Sequence, residues 1–232
     1  MSGSVAPNII TEGLALYLDA ANTRSYLGTG TTWSDLSRSG FTGTLTNGPI
    51  FDSTNRGSIL FDGTNDLIEI PNTTSLSTFT ISIWFKMTGP GSTGGPANII
   101  YNSLFGINSG GRRILVATSA STGTEEGRIL VQMGGSNYFS AAATATVTNQ
   151  WNNVVYTWQA NTATIYINGI SETPQSNSSV TFPNANLYLG AYNNPITAYA
   201  MKGNISQCLI YNRVLSVNEV LQNYNTTKGR YL

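Results

Sequence analysis

The segment from Gly203 to Tyr224 restricts the fold more than any other stretch of the chain. Ile205, Leu209 and Tyr211 fall on one face at period two, which is the pattern of a strand. The strand then hands over to a helix. Ser216 meets the N-cap requirement, and Glu219, three residues on, completes a capping box. Leu215 and Val220 are placed as the hydrophobic staple across that cap. Val220, Leu221 and Tyr224 predict an apolar side laid on a sheet, with the helix over residues 217–224. Everything before it reads as strand and turn.

The clearest strand is 79–87. Phe79, Ile81, Ile83, Phe85 and Met87 point one way, and Thr80, Ser82 and Lys86 the other. Trp84 interrupts the polar side, so that side is expected to be partly covered. Further strands are predicted over 13–19, 58–62, 67–70, 98–102, 113–117, 128–133, 151–158, 163–168, 187–191 and 205–211. Gln159 to Thr162 is expected to close a hairpin, and Asn168-Gly169 is a strong turn signal because both residues tolerate positive φ. This spacing argues for two packed antiparallel sheets, and no βαβ spacing suggests a parallel one. Residues 22–52, rich in Gly and Thr, and the stretch Gly89–Pro96 read as long loops. Loops of this kind on a rigid sandwich are where binding usually sits.

Charge excludes some functions. The 232 residues carry 11 basic and 11 acidic side chains, only 9% charged in all, which makes a poor nucleic-acid binder. Arg112-Arg113 is read as a solvated strand edge. A 40% hydrophobic content allows a core despite the low charge. Cys208 is the single cysteine, so no internal disulfide exists, and it is expected to pack as a small apolar residue. The chain has no histidine, which removes Ser-His-Asp chemistry and histidine metal sites. No signal-peptide pattern and no membrane-length apolar run are seen, so synthesis in a cytosol without membrane insertion is expected.

Several ordered pieces resemble the laminin G-like, concanavalin A-like lectin/glucanase superfamily. They are Phe61–Asp66, Phe79–Trp84, Trp151–Thr157, Tyr166–Gly169, Leu189-Gly190 and Ile210–Ser216. The resemblance implies an all-β, two-sheet antiparallel jelly-roll sandwich with one short C-terminal helix. The matching pieces run from about Gly13 to Tyr224, and residues 11–232 are expected to form one domain behind an N-terminal arm, residues 1–10. The opening also resembles a variant seen in phage virion proteins: Gly13–Asn22, Thr32–Ser37 and Leu45–Pro49. This fold hosts lectins, hydrolases and passive adhesion modules, so it implies function only loosely.

Glycoside hydrolysis needs two carboxylates about 5–10 Å apart. The Glu-X-Asp-X-X-Glu pattern of the glucanase branch is missing, and adjacent Glu125-Glu126 would point to opposite faces of a strand. No enzyme is therefore expected. Calcium is a candidate cofactor, because Asp62, Asn65 and Asp66 cluster on a turn and relatives sometimes hold a rim calcium; the same residues equally suit a turn that bonds its own backbone. Aromatic rings can stack on sugars. Trp33, and the loop residues Tyr192, Asn193, Asn194 and Tyr199, are the candidate ligand-binding set. Alternatively these rings pin their loops to the sandwich. Trp84, Trp151 and Trp158 are expected in the core.

The function these signs favour is a non-enzymatic structural or adhesive subunit of a phage particle: a capsid decoration, head fibre or tail module, located on the virion. Its expected partners are other virion proteins, with Ile9 and Ile10 of the arm as anchors, and cell-surface glycans. It is expected to be a homo-oligomer. The alternative is a carbohydrate-binding lectin module of a bacterial cell surface.

Overall fold

The computed structural model describes residues 8–71, 74–91, 100–107, 112–119, 127–133, 136–139, 148–176, 182–194, 196 and 198–232. Strands are numbered in chain order. One nine-stranded sheet runs β14 (Ile170–Ser171), β13 (Thr162–Ile167), β12 (Trp151–Gln159), β7 (Phe79–Met87), β17 (Lys202–Tyr211), β5 (Ser58–Asp62), β4 (Ile50–Asp52). In addition β1 (Leu14–Asp19) pairs with β17, and β15 (Gln175–Ser176) with β13. The second, eight-stranded sheet runs β11 (Ser136–Phe139), β10 (Ile129–Met133), β9 (Arg112–Ser119), β8 (Ile100–Ile107), β16 (Leu187–Leu189), β6 (Leu67–Ile70), β3 (Gly43–Thr46), β2 (Thr32–Trp33). The described pairings are antiparallel, and the result is the expected jelly-roll sandwich.

The main core lies between the sheets. The alternation in β7 does what its pattern predicts: Phe79, Ile81, Ile83, Phe85 and Met87 enter that core. Its other face is roofed by α1 (Val217–Thr227) and the residues after it. Trp84 stacks on Tyr224 and on Tyr231, with ring centroids 5.5 and 4.2 Å away. Its Nε1 donates to Thr227 Oγ1 at 2.9 Å, so a donor that the helix would otherwise strand is satisfied. Thr80 Oγ1 donates to the Arg213 carbonyl and accepts from the Leu215 amide, which fixes the chain just before the helix. Trp151 and Trp158 are buried, as expected.

The capping box is present in both directions: Ser216 Oγ accepts from the Glu219 amide, and Glu219 Oε2 accepts from the Ser216 amide. Replacing Ser216 by Ala is expected to cost about 1 kcal/mol in denaturant melts. The buried side of α1 is Val220, Asn223 and Thr227, whereas Leu221 stays exposed. That corrects the predicted apolar stripe. Asn223 faces inward because it has partners there: its Oδ1 accepts from the Ile10 amide and its Nδ2 donates to Tyr211 Oη.

Glu219 is also gripped by Arg213 through two bonds of 3.0 and 2.6 Å, and this pairing holds its carboxyl down to about 2, from an ordinary 4.5. A depressed carboxyl stabilises the fold above its unfolded value and loses that contribution as pH falls through the folded one. Stability is therefore expected to decline between pH 4.5 and about 2, and Arg213→Met should flatten that part of the acid melt.

Three further expectations are corrected. Ile205 enters the main core while Leu209 and Tyr211 lie on the opposite face, because a β-bulge at Ser206 shifts the alternation by one. Residues 22–52 are not one long loop, since β2, β3 and β4 lie within them. Ile9 and Ile10 are not free anchors. They pack on the cluster of Leu209, Tyr211, Leu215 and Val220, and Tyr211 Oη donates to the Ile10 carbonyl at 2.9 Å. Residues 1–7 of the arm lie outside the described residues. The two turn readings agree with the structure: Ala160 and Asn161 join β12 to β13, and Asn168-Gly169 joins β13 to β14, all four at positive φ.

Candidate functional site

One line of register partners crosses all eight strands of the second sheet. It runs Thr32, Thr44, Glu69, Tyr188, Gly106, Arg113, Gln132, Asn137. Their strand neighbours Trp33, Leu45, Ile68, Leu187, Phe105, Ile114 and Val131 are in the main core. The pleat therefore turns the row from Thr32 to Gln132 to the outer face. Thr32 and Thr44 are exposed, and Glu69, Arg113 and Gln132 half-buried.

The chain following β16 folds back over this row. Gly106 makes that possible. A Cβ there would sit 2.4 Å from the Tyr192 carbonyl oxygen and 2.5 Å from its Cα, so only glycine lets the two backbones touch. Ala191 and Ile196 pack with Leu67 and Tyr188. Asn194 Nδ2 donates to Glu69 Oε2, and Asn186 Nδ2 to Oε1. Tyr199 is held at φ 64, a strained conformation for a tyrosine, and its carbonyl accepts from the Ser103 amide at 2.9 Å.

These constraints bring two rings onto one cation. The Arg113 guanidinium carbon lies 4.7 Å from the Tyr192 ring centre and 4.8 Å from that of Tyr199. The rings stand 6.2 Å apart at 67°, and Tyr199 meets Tyr101 edge-on at 6.0 Å. Arg113 Nε and Gln132 Oε1 are buried without a hydrogen-bond partner among the described residues.

The structure thus unites Tyr192, Tyr199, Asn193 and Asn194 on one loop and adds Arg113, Gln132 and Glu69, which the sequence reading missed. Arg113 was expected on a solvated edge. It lies instead on β9, paired on both sides, with its side chain under the loop. The only hint in the sequence is that apolar Ile114 and Val116 turn Arg113 outward. Trp33 is not part of the set: it is 0% exposed inside the core and offers no face to a ligand.

The turn 62–66 does not fit a calcium ion. Asp62 Oδ1 accepts from the Thr64 and Asn65 amides, Asp66 Oδ2 from the Asp62 amide, and the Asn65 carbonyl from Asn47 Nδ2. Burial, with the Asp62 charge adding to it, pushes the Asp66 carboxyl up. Calcium needs 6–8 oxygens, whereas this turn offers few, and Asp62 Oδ1, Asp66 Oδ2 and the Asn65 carbonyl already accept from the turn's own amides and from Asn47. Among the described residues no group of three or more acidic, histidine or cysteine side chains could hold a metal. Asp35 likewise serves its own loop, accepting from the Tyr17, Ser37 and Phe41 amides, and Asp19 pairs with Arg230 at 2.8 Å. Glu125 and Glu126 lie outside the described residues. No helix among the described residues is long and apolar enough to cross a membrane.

Solved structures share this fold at low sequence identity. Domain 4 of an extracellular arabinanase from Geobacillus stearothermophilus, solved with arabinotriose, matches with a TM-score of 0.67 and 18% identity, over 93% of this chain and 100% of that one. The receptor-binding domain of botulinum neurotoxin type G matches at 0.64 and 17%, over 92% of this chain, which spans about half (51%) of that domain. A Trypanosoma rangeli sialidase matches at 0.63 and 14%, over 96% of this chain and 34% of the enzyme. No curated protein matches in sequence. Residues 62–221 match the concanavalin A-like lectin/glucanases superfamily, and the chain therefore belongs to it.

Proposed function

We propose that this chain is a non-catalytic glycan-binding module whose contact surface is the Arg113–Tyr192–Tyr199 platform on the second sheet. The observation that carries the reading is the pair of half-buried tyrosines held at fixed angles around one guanidinium beside a row of polar side chains. Rings of this kind stack on the apolar faces of sugars while keeping a polar handle, and the asparagines and Gln132 offer amides for hydroxyl groups. The domain with arabinotriose is a precedent on the same fold at 18% identity. Hydrolysis lacks support along this row, because its single carboxylate, Glu69, is bound by two asparagines and has no acidic counterpart.

A glycan array followed by titration calorimetry tests the reading. Tyr192→Ala is expected to weaken the best array ligand by about tenfold or more, the usual cost of truncating an aromatic anchor. Ile170→Ala, at an exposed site on the other sheet, should leave affinity unchanged. Equal affinity in wild type and Tyr192→Ala would remove the platform from the site.

The setting on a phage particle, rather than a bacterial surface, rests on the resemblance of Gly13–Asn22 and Thr32–Ser37 to virion sequences. Mass spectrometry of purified particles from the source tests it, and absence of the protein from them would favour the cell-surface module.

A further inference from the structure

Arg113 is held without being neutralised. Aromatic faces attract a guanidinium through its charge, but they take none of its in-plane N–H donors in the way a carboxylate does. No ion pair among the described residues includes Arg113. The one carboxylate in its row, Glu69, is occupied by Asn186 and Asn194. Its cross-strand partner is the neutral Gln132, whose Oε1, like Arg113 Nε, is buried without a hydrogen-bond partner among the described residues. A half-buried cation with two ring contacts and no anion is costly unless something outside the chain completes it.

We infer that the platform selects saccharides bearing a carboxylate, that is, uronic-acid oligomers, over neutral ones of the same shape. The inference rests on the glycan-binding reading and names its ligand class. The tyrosine rings would take the apolar face of one sugar ring, and the planar fork of Arg113 would take the carboxylate through two parallel bonds. Arginine suits this better than lysine because its donors match a carboxylate in geometry as well as in charge. The rings hold the fork in place, so little side-chain freedom is lost on binding.

The test compares matched probes: trimers of galacturonate and of mannuronate, each as free acid and as methyl ester, titrated at low salt. Wild type is expected to prefer at least one free acid over its ester by about tenfold, as one charge-assisted pair allows. In Arg113→Gln the acid-to-ester ratio should fall to about one, whatever happens to the absolute affinities. Should Arg113→Gln not fold, Gln132→Glu carries the same test, because a carboxylate placed beside the guanidinium competes with the ligand and should also bring the ratio to about one. The preference should shrink as salt rises. Equal binding of acid and ester by wild type overturns the anionic class and leaves the glycan reading standing. A preference that survives in folded Arg113→Gln overturns the role of Arg113. Wild type that binds none of the probes, while binding neutral glycans on the array, overturns this inference alone; no binding to any glycan overturns both.

Discussion

Trp33→Ala is expected to lower the free energy of unfolding by roughly 3–5 kcal/mol, the range for removing a large buried aromatic. Trp33 is 0% exposed and belongs to the core cluster that holds the two sheets together. It enters that core from β2, a strand of two residues at the end of the second sheet. So short a strand has little register of its own, and the indole is what fixes it. Loss of the ring should release β2 and the chain around it. Its Nε1 is buried without a hydrogen-bond partner among the described residues, so Trp33→Phe removes an unsatisfied donor and should cost far less than Ala. Denaturant midpoints for the two variants make the comparison. A midpoint unchanged in Trp33→Ala, together with lost glycan binding, would return Trp33 to the ligand site.

The second large effect is expected at Gly106. In Gly106→Val the new Cβ would lie 2.4–2.7 Å from the carbonyl oxygen, Cα and carbonyl carbon of Tyr192. These are backbone atoms and cannot swing aside as a side-chain tip could. The loop must lift, which takes Tyr192 and Tyr199 away from Arg113. The overpacking should cost about 1–3 kcal/mol of stability, well short of unfolding the sandwich. Glycan affinity should nevertheless fall by about tenfold or more, because both aromatic anchors leave together. Calorimetric titration beside a thermal melt separates the two effects. Unchanged affinity in a folded Gly106→Val would show that the loop's seat on β8 has no part in binding.

Legibility in the sequence followed range. The capping box at Ser216, the alternation of β7 and the turn at Asn168-Gly169 depend on residues a few positions apart, and each was readable. The bulge at Ser206 was not, because it falls where one edge of β17 changes partner, from β5 along its first half to β1 along its second, opposite β7. The strands β2, β3 and β4 are two to four residues long, too short for alternation to show. The loop bearing Tyr192 and Tyr199 stood out by composition, but its partner Arg113 sits on a strand far earlier in the chain. Only the order of strands in the sheet brings them together. At Asp62 and Asp66 composition suits both a calcium cluster and a turn that bonds its own backbone, and the turn's amides decide for the second.

The roof over Trp84 has a consequence for how the protein is made. Arg230 pairs with Asp19 across 211 residues of chain, and Tyr231 lies between Trp84 and Trp151, with its hydroxyl donating to Ser206 Oγ. β17, which joins β1, β7 and β5, also comes late. On a ribosome the early strands emerge while these keystones are still unmade or inside the exit tunnel. The first sheet therefore cannot close until these residues have left the exit tunnel, and its unpaired strands must be kept apart from neighbours until then. Yield of soluble protein should depend on chaperone supply and growth temperature more than on the stability of the finished fold.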